Sequence, residues 1–122
     1  MPVSTSPVPD LPEGVPPLRT FYLYLTSCCN LRCRHCWIAP EFAGGAAVPG
    51  TTIDLPALKR AVIEAKTLGL VNAKLTGGEP MLHPQFREIV DMLTTEGIAL
   101  NMETNGTLIT REIARYLKEK KQ

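Results

Sequence analysis

Hydrophobic and polar positions along the chain follow two rhythms that take turns. From Thr20 the apolar Phe21, Leu23 and Leu25 alternate with Tyr22, Tyr24 and Thr26, the two-residue period of a strand. After Asp54 the period lengthens: Leu55, Leu58, Val62, Ala65 and Leu68 recur at helical spacing and mark a buried face. Asp54 is a good N-cap, Pro56 is tolerated in the first turn, and Gly69 supplies the stop. A second strand is predicted over residues 70–75, and residues 77–80 make a turn. The second helix begins near Pro84, with Phe86, Ile89, Val90 and Leu93 inward, and ends at Gly97. A third strand over residues 98–103 reaches the Asn105-Gly106 turn. A third helix follows Thr110, with Ile113, Ala114 and Leu117 inward.

The order β-α-β-α-β-α predicts an α/β fold, a parallel sheet with right-handed crossovers and helices packed on its outer face. Three such strands are an odd finished object, because parallel sheets have both faces covered or close into a barrel. A full (β/α)8 barrel takes ~250 residues. The three βα units therefore read as part of a TIM-type barrel whose other units are absent from the chain. Ahead of them, the first 17 residues hold six of the eleven prolines. Proline removes backbone donors and fixes φ, so residues 1–19 are expected to be a flexible, disordered leader and residues 20–122 one domain. Residues 39–52 read as a Gly/Pro/Ala-rich connection.

Charge narrows the choice of partners. Thirteen basic residues against twelve acidic ones leave a net charge of +1, and the short run Lys118, Lys120 and Lys121 reads as a solvated helix end. Binding nucleic acid through its phosphates needs a basic face, and none is present. No apolar run approaches the ~20 residues of a membrane helix. The proline-rich start lacks the basic and apolar regions of a secretory signal. A cytoplasmic address is the expectation. All four cysteines lie between Cys28 and Cys36. A disulfide framework spreads its cysteines along the chain, so this packing points to a metal or redox site.

Cys29, Cys33 and Cys36 stand at C-x3-C-x2-C spacing. Three thiolates on one loop can each bind one iron of a 4Fe–4S cluster and leave the fourth iron open. Arg32 and Arg34 lie between them and could offset the negative charge. A structural zinc site, closed by Cys28 or His35, and plain reduced core cysteines are the alternatives. Gly77-Gly78-Glu79-Pro80 is the second constellation. Two glycines permit a close backbone approach to a ligand, Glu79 offers a carboxylate to an ammonium group, and Pro80 stiffens the exit. A plain tight turn would use the same residues. Glu103-Thr104-Asn105-Gly106 is the third, with Asn-Gly a turn dipeptide in any protein. Each constellation follows a predicted strand, so all three fall on the rim where α/β barrels carry function. Cys28 reads as a small buried or lining residue and His83 as part of the start of the second helix. Trp37 reads as a cluster wall or a core residue.

Residues 29–36 resemble the signature of the radical S-adenosylmethionine (radical SAM) superfamily. His35 stands where that signature usually has an aromatic residue. An Arg-His pair before the third cysteine is similar to peptide-modifying maturases and SPASM-type enzymes. The 77–80 turn matches the family's GGEP motif, and the resemblance spans residues 20–121. It implies that Cys29, Cys33 and Cys36 hold a 4Fe–4S cluster whose open iron is chelated by S-adenosylmethionine (SAM). The reduced cluster then splits SAM into methionine and a 5′-deoxyadenosyl radical, which takes a hydrogen atom from substrate. It further implies that His35, Gly77, Gly78, Glu79, Pro80 and Asn105 help bind SAM, with Glu103 a weaker candidate. The implied partners are an electron donor such as a flavodoxin or ferredoxin and a peptide or small-molecule substrate. Two rivals stay open on the sequence: an electron-transfer iron–sulfur module that uses no SAM, and a truncated, non-catalytic remnant.

Overall fold

The computed structural model describes residues 10–31, 33–36, 41–42 and 52–120. Residues 1–9 of the proline-rich leader, Arg32, Trp37 and most of the 39–52 connection lie outside the described residues, as does Lys121. Five strands and three helices follow in chain order: β1 (Thr20–Tyr24), β2 (Cys28–Cys29), β3 (Glu41–Phe42), α1 (Leu55–Lys66), β4 (Asn72–Thr76), α2 (Phe86–Thr95), β5 (Ala99–Met102) and α3 (Arg111–Glu119). The main sheet has the order β1-β4-β5, and both pairings are parallel. This is the α/β arrangement expected, a parallel sheet with helices, consistent with part of a TIM-type barrel.

The helices form where the pattern placed them, with local differences. Asp54 caps α1 by accepting from the Ala57 amide at 3.0 Å, and Leu58, Val62 and Ala65 are buried. Leu68 is 43% exposed, because the helix ends at Lys66 and Leu68 sits in the turn that Gly69 closes at φ 107°. α2 starts at Phe86 rather than near Pro84, since a short 3-10 turn over Pro80–Leu82 comes first. Its Phe86, Ile89, Val90 and Leu93 are all buried, as the spacing required. Leu18 and Arg19 already belong to the ordered body. The Leu18 amide donates to the Leu68 carbonyl, and the Arg19 carbonyl accepts from Val71 and Asn72.

The third helix departs most from expectation. Thr110 caps α3 through the Ile113 amide, but no residue of the helix is buried, and Ala114 is exposed. Tyr116, which the apolar pattern passed over, does the docking. It packs beside the core, and its hydroxyl donates toward Asp91 Oδ1 at 2.6 Å and the Arg87 carbonyl at 2.8 Å. Hydrogen bonds from Tyr116 and then Lys120 hold the Asp91 carboxyl below its ordinary 3.8. Burial, followed by Asp91, pushes the Tyr116 phenol up. The reason for the loose fit is position. Among the described residues α3 is tied by side chains to Arg87 and Asp91 of α2, and an open cleft lined by Leu100, Met102 and Leu117 remains beside it.

The core lies between the sheet and its helices. Leu23, Ala73 and Leu75 point into it beside Val62, Ile89 and Leu93. The other face carries Tyr22, Lys74 and Asn101 in register across the three strands, with Tyr22 62% exposed and the Lys74 ammonium 5.1 Å from its ring centroid. One short feature was not legible as sequence pattern. β2 pairs with β3, parallel, and Thr26 bridges Thr52, antiparallel. Two-residue strands show no period for a pattern to reveal.

Candidate functional site

Parallel strands end on the same side, so the segments after β1, β4 and β5 gather at one rim of the sheet. What joins the first two is backbone. The Gly78 amide donates to the Thr26 carbonyl at 2.9 Å, and the Glu79 amide donates to the Cys28 carbonyl at 2.7 Å. The two glycines make that docking possible. A Cβ on Gly78 would lie 1.9 Å from the Cys28 carbonyl oxygen. One on Gly77 would lie 2.6 Å from the Thr26 oxygen, and Gly77 has φ 136°, a region that L side chains rarely adopt. The close approach that these glycines permit is thus to the backbone of the cysteine segment.

Glu79 joins the second segment to the third. Its side chain is fully buried, and a buried carboxylate is costly unless hydrogen-bonded. Oε1 accepts from the Thr104 hydroxyl at 2.6 Å and the Asn105 amide at 2.8 Å, while Oε2 accepts from the Met81 amide at 2.9 Å. Pro80 is buried beside it and begins the 3-10 turn. Asn105 then reaches back to the first segment. Its side-chain nitrogen lies 2.8 Å from Asn30 Oδ1 and 3.9 Å from Cys29 Sγ. Asn30 in turn donates to the Thr107 hydroxyl at 2.8 Å. The Glu103 side chain is exposed, and its amide continues the β4–β5 ladder by donating to the Leu75 carbonyl.

His83 is buried and holds a fourth piece in place. Its Nε2 is 2.8 Å from the Ile53 carbonyl, and its Nδ1 accepts from the Gln85 amide at 2.9 Å. A carbonyl on one nitrogen and an N–H on the other require the neutral ring protonated at Nε2. His83 therefore pins the segment that returns past Leu25, whose carbonyl accepts from the Ile53 amide. It stands at the start of α2, as the sequence suggested. The sequence named Thr104 only as part of the third constellation, without its bond to Glu79, and Asn30 and the tying role of His83 were not visible in it. Thr104 had a signal, as a hydroxyl directly before an Asn-Gly turn. The other two had none.

The cysteines divide between two environments. Cys28 and Cys29 are buried, Cys36 is half-buried, and Cys33 is exposed; none of the four is in a disulfide. The Cys36 amide donates to the Cys33 carbonyl at 3.2 Å and closes a small turn, with His35 exposed on it. Among the described residues, no group of three or more His, Cys, Asp or Glu side chains stands close enough to hold a metal ion. The three spaced thiols share a segment without being gathered. A ligand set of this kind is normally drawn together by the metal itself. Its chemistry, three thiols with two of them reachable from outside, suits an iron–sulfur cluster. Among the described residues no helix is long and apolar enough to cross a membrane.

The Radical SAM superfamily model matches residues 23–122, which include every residue of this site. Curated relatives match most of the chain. The antilisterial bacteriocin subtilosin biosynthesis protein AlbA of Bacillus subtilis is 33% identical over 80% of this chain and 21% of its own length. The AdoMet-dependent heme synthase of Methanosarcina barkeri is 35% identical over 77% of this chain and 26% of its own length. The mycofactocin maturase MftC of Mycobacterium tuberculosis is 33% identical over 93% of this chain and 29% of its own length. The chain thus spans between a fifth and a third of the length of these relatives. Their names differ in product while their identities to this chain are nearly equal, so the shared stretch carries what such proteins have in common. The chain belongs to the radical SAM superfamily, whose cofactors are a 4Fe–4S cluster and S-adenosylmethionine.

Proposed function

We propose that this chain forms the cofactor-holding part of a radical SAM enzyme. Cys29, Cys33 and Cys36 would ligate the 4Fe–4S cluster, and SAM would bind along the rim formed by the 77–80 turn and Asn105. The observation that carries the reading is the backbone docking of Gly78 and Glu79 onto Thr26 and Cys28. It makes the cysteine segment and the 77–80 turn one unit, as a site for a cluster and its ligand requires. When bound and reduced, the cluster supplies an electron that splits SAM into methionine and a 5′-deoxyadenosyl radical able to take a hydrogen atom from substrate.

The residues divide the labour. Cys29 is the buried anchor, and the turn bearing Cys33 and Cys36 folds in as iron arrives. His35, exposed between them, would lie over the bound cofactors. Gly77, Gly78 and Pro80 shape the rim, and Glu79 keeps it closed onto the third segment. Cys28 has its carbonyl engaged by the Glu79 amide and its own amide engaged by the Thr26 hydroxyl at 3.1 Å, and in this reading its sulfur would not be a ligand. A flavodoxin or ferredoxin would supply the electron. The substrate would be a peptide or a small molecule; bacteriocin and mycofactocin in the names of two relatives favour a peptide. Free thiols confined to one short segment suit a reducing, cytoplasmic setting.

Anaerobic reconstitution followed by iron analysis and electron paramagnetic resonance tests the ligand assignment. Alanine at Cys29, Cys33 or Cys36 should each abolish the cluster, and Cys28→Ala should retain it. Loss in Cys28→Ala with retention in Cys29→Ala would overturn the assignment.

A further inference from the structure

We propose that Asn105 is an N–H···S donor to Cys29, held in that position by the buried carboxylate of Glu79, and that this contact sets the reduction potential of the cluster that Cys29 helps to hold. The consequence for the cluster rests on the ligand assignment above; the contact itself does not.

The partners of the Asn105 amide fix which way it faces. Its Oδ1 accepts from both the Thr107 amide at 3.0 Å and the Thr107 hydroxyl at 2.8 Å. Two donors on one atom identify it as oxygen, so the other atom is the nitrogen. That nitrogen carries two hydrogens and has two acceptors, Asn30 Oδ1 at 2.8 Å and Cys29 Sγ at 3.9 Å. A simple Asn-Gly turn needs only the oxygen. The nitrogen's approach to Asn30 and Cys29, more than seventy positions earlier in the chain, is not explained by turn formation.

Glu79 is what holds the turn there. Oε1 takes the Asn105 backbone amide and the Thr104 hydroxyl, and the Thr104 oxygen in turn accepts from the Gly106 amide at 3.1 Å. With its side chain fully buried and both oxygens occupied, Glu79 acts through Asn105 as a positioning residue. A donor on a ligating sulfur withdraws electron density from it. The reduced cluster is the more negative state, so it gains more from that donor, and the potential rises. Losing the donor moves the potential to more negative values.

Two measurements on the whole chain test this. In the iron-free protein, the side-chain amide resonance of Asn105 is followed by nuclear magnetic resonance and assigned by its loss in Asn105→Asp. Cys29→Ala should shift it, and Glu79→Gln should speed its exchange with solvent. A resonance unmoved in Cys29→Ala overturns the contact. In the reconstituted protein, a redox titration followed by electron paramagnetic resonance compares wild type with Asn105→Asp and Asn105→Leu at equal iron content. Asn105→Asp keeps the acceptor for Thr107 and removes the donor; Asn105→Leu removes the donor without adding charge. Both should titrate at more negative potential, and an Asn105→Leu potential equal to wild type overturns the proposal. A chain that takes up no iron would refute the ligand assignment, and the iron-free measurement would then decide the contact alone.

Discussion

Glu79 and Cys33 belong to the same rim of the sheet, yet one is wholly buried with donors on both carboxylate oxygens and the other is exposed. The first stands in a region where every segment is tied to its neighbour: 77–80 to 26–28 by backbone, 104–105 to Glu79 by side chain, 52–53 to His83. The second stands on a turn closed by the bond from the Cys36 amide to the Cys33 carbonyl, and among the described residues its thiols are not gathered. The difference is one of who completes the structure. Hydrogen bonds available to the chain itself fix the inner region. Thiols gain little from one another, so on the proposed ligand assignment the outer turn would take its final form only with a metal. Substitutions in the inner region should therefore change stability without iron present, and substitutions in the outer region should change only what happens when iron is added.

Gly78→Ala should have the largest effect. Its Cβ would meet a backbone oxygen at 1.9 Å, and backbone cannot step aside as a flexible side chain can. Overpacking usually costs about 1–3 kcal/mol, and this substitution should reach or pass the top of that range. A urea titration of the iron-free chain measures it, and cluster uptake should fall as well. A variant as stable as wild type would break the comparison. Glu79→Ala comes next, because it strands the Thr104 hydroxyl and the Asn105 and Met81 amides. A buried donor left unsatisfied costs about 1–3 kcal/mol, and Glu79→Gln should cost less than Glu79→Ala. The same titration ranks the two.

Cys33→Ala is the counterpart from the outer region. It should change iron-free stability by no more than about 0.5 kcal/mol, as exposed positions do, while iron uptake is lost. A large destabilisation would mean that the outer turn is structural after all. The smallest effect belongs to α3. Asp91 has a carboxyl held below its ordinary 3.8, so its contribution is present above that value and fades as pH falls through the lower folded value. Below pH 4, amide exchange in α3 should quicken before exchange in α2 does. Equal responses in the two helices would place the tie elsewhere.

Much of this organisation could be read from the chain before any coordinates. Alternation at Phe21, Leu23 and Leu25 and helical spacing at Phe86, Ile89, Val90 and Leu93 report burial directly, so the strands and α2 were legible. α3 misled in part: Leu117 packs against the core as its spacing suggested, but Ala114 is exposed, and Tyr116, outside the apolar pattern, packs there too with its hydroxyl on Asp91. At the rim, the glycines, Glu79 and Asn105 were visible as a motif, but their partners were not. A one-dimensional reading gives Glu79 a free carboxylate and the glycines an open approach. Only the fold shows that Thr104, Asn105 and Met81 occupy the first, and that the Thr26 and Cys28 carbonyls fill the second.

On the proposed reading, the cysteine segment and the 77–80 turn form one site for a cluster and SAM. Its most direct measurement is an anaerobic titration of the reduced, reconstituted chain with SAM, followed by electron paramagnetic resonance. The account predicts that added SAM changes the cluster signal of wild type and of Cys28→Ala, and that Gly78→Ala loses the response. A signal unchanged at saturating SAM, with iron content intact, would contradict it and leave an electron-transfer module as the better description.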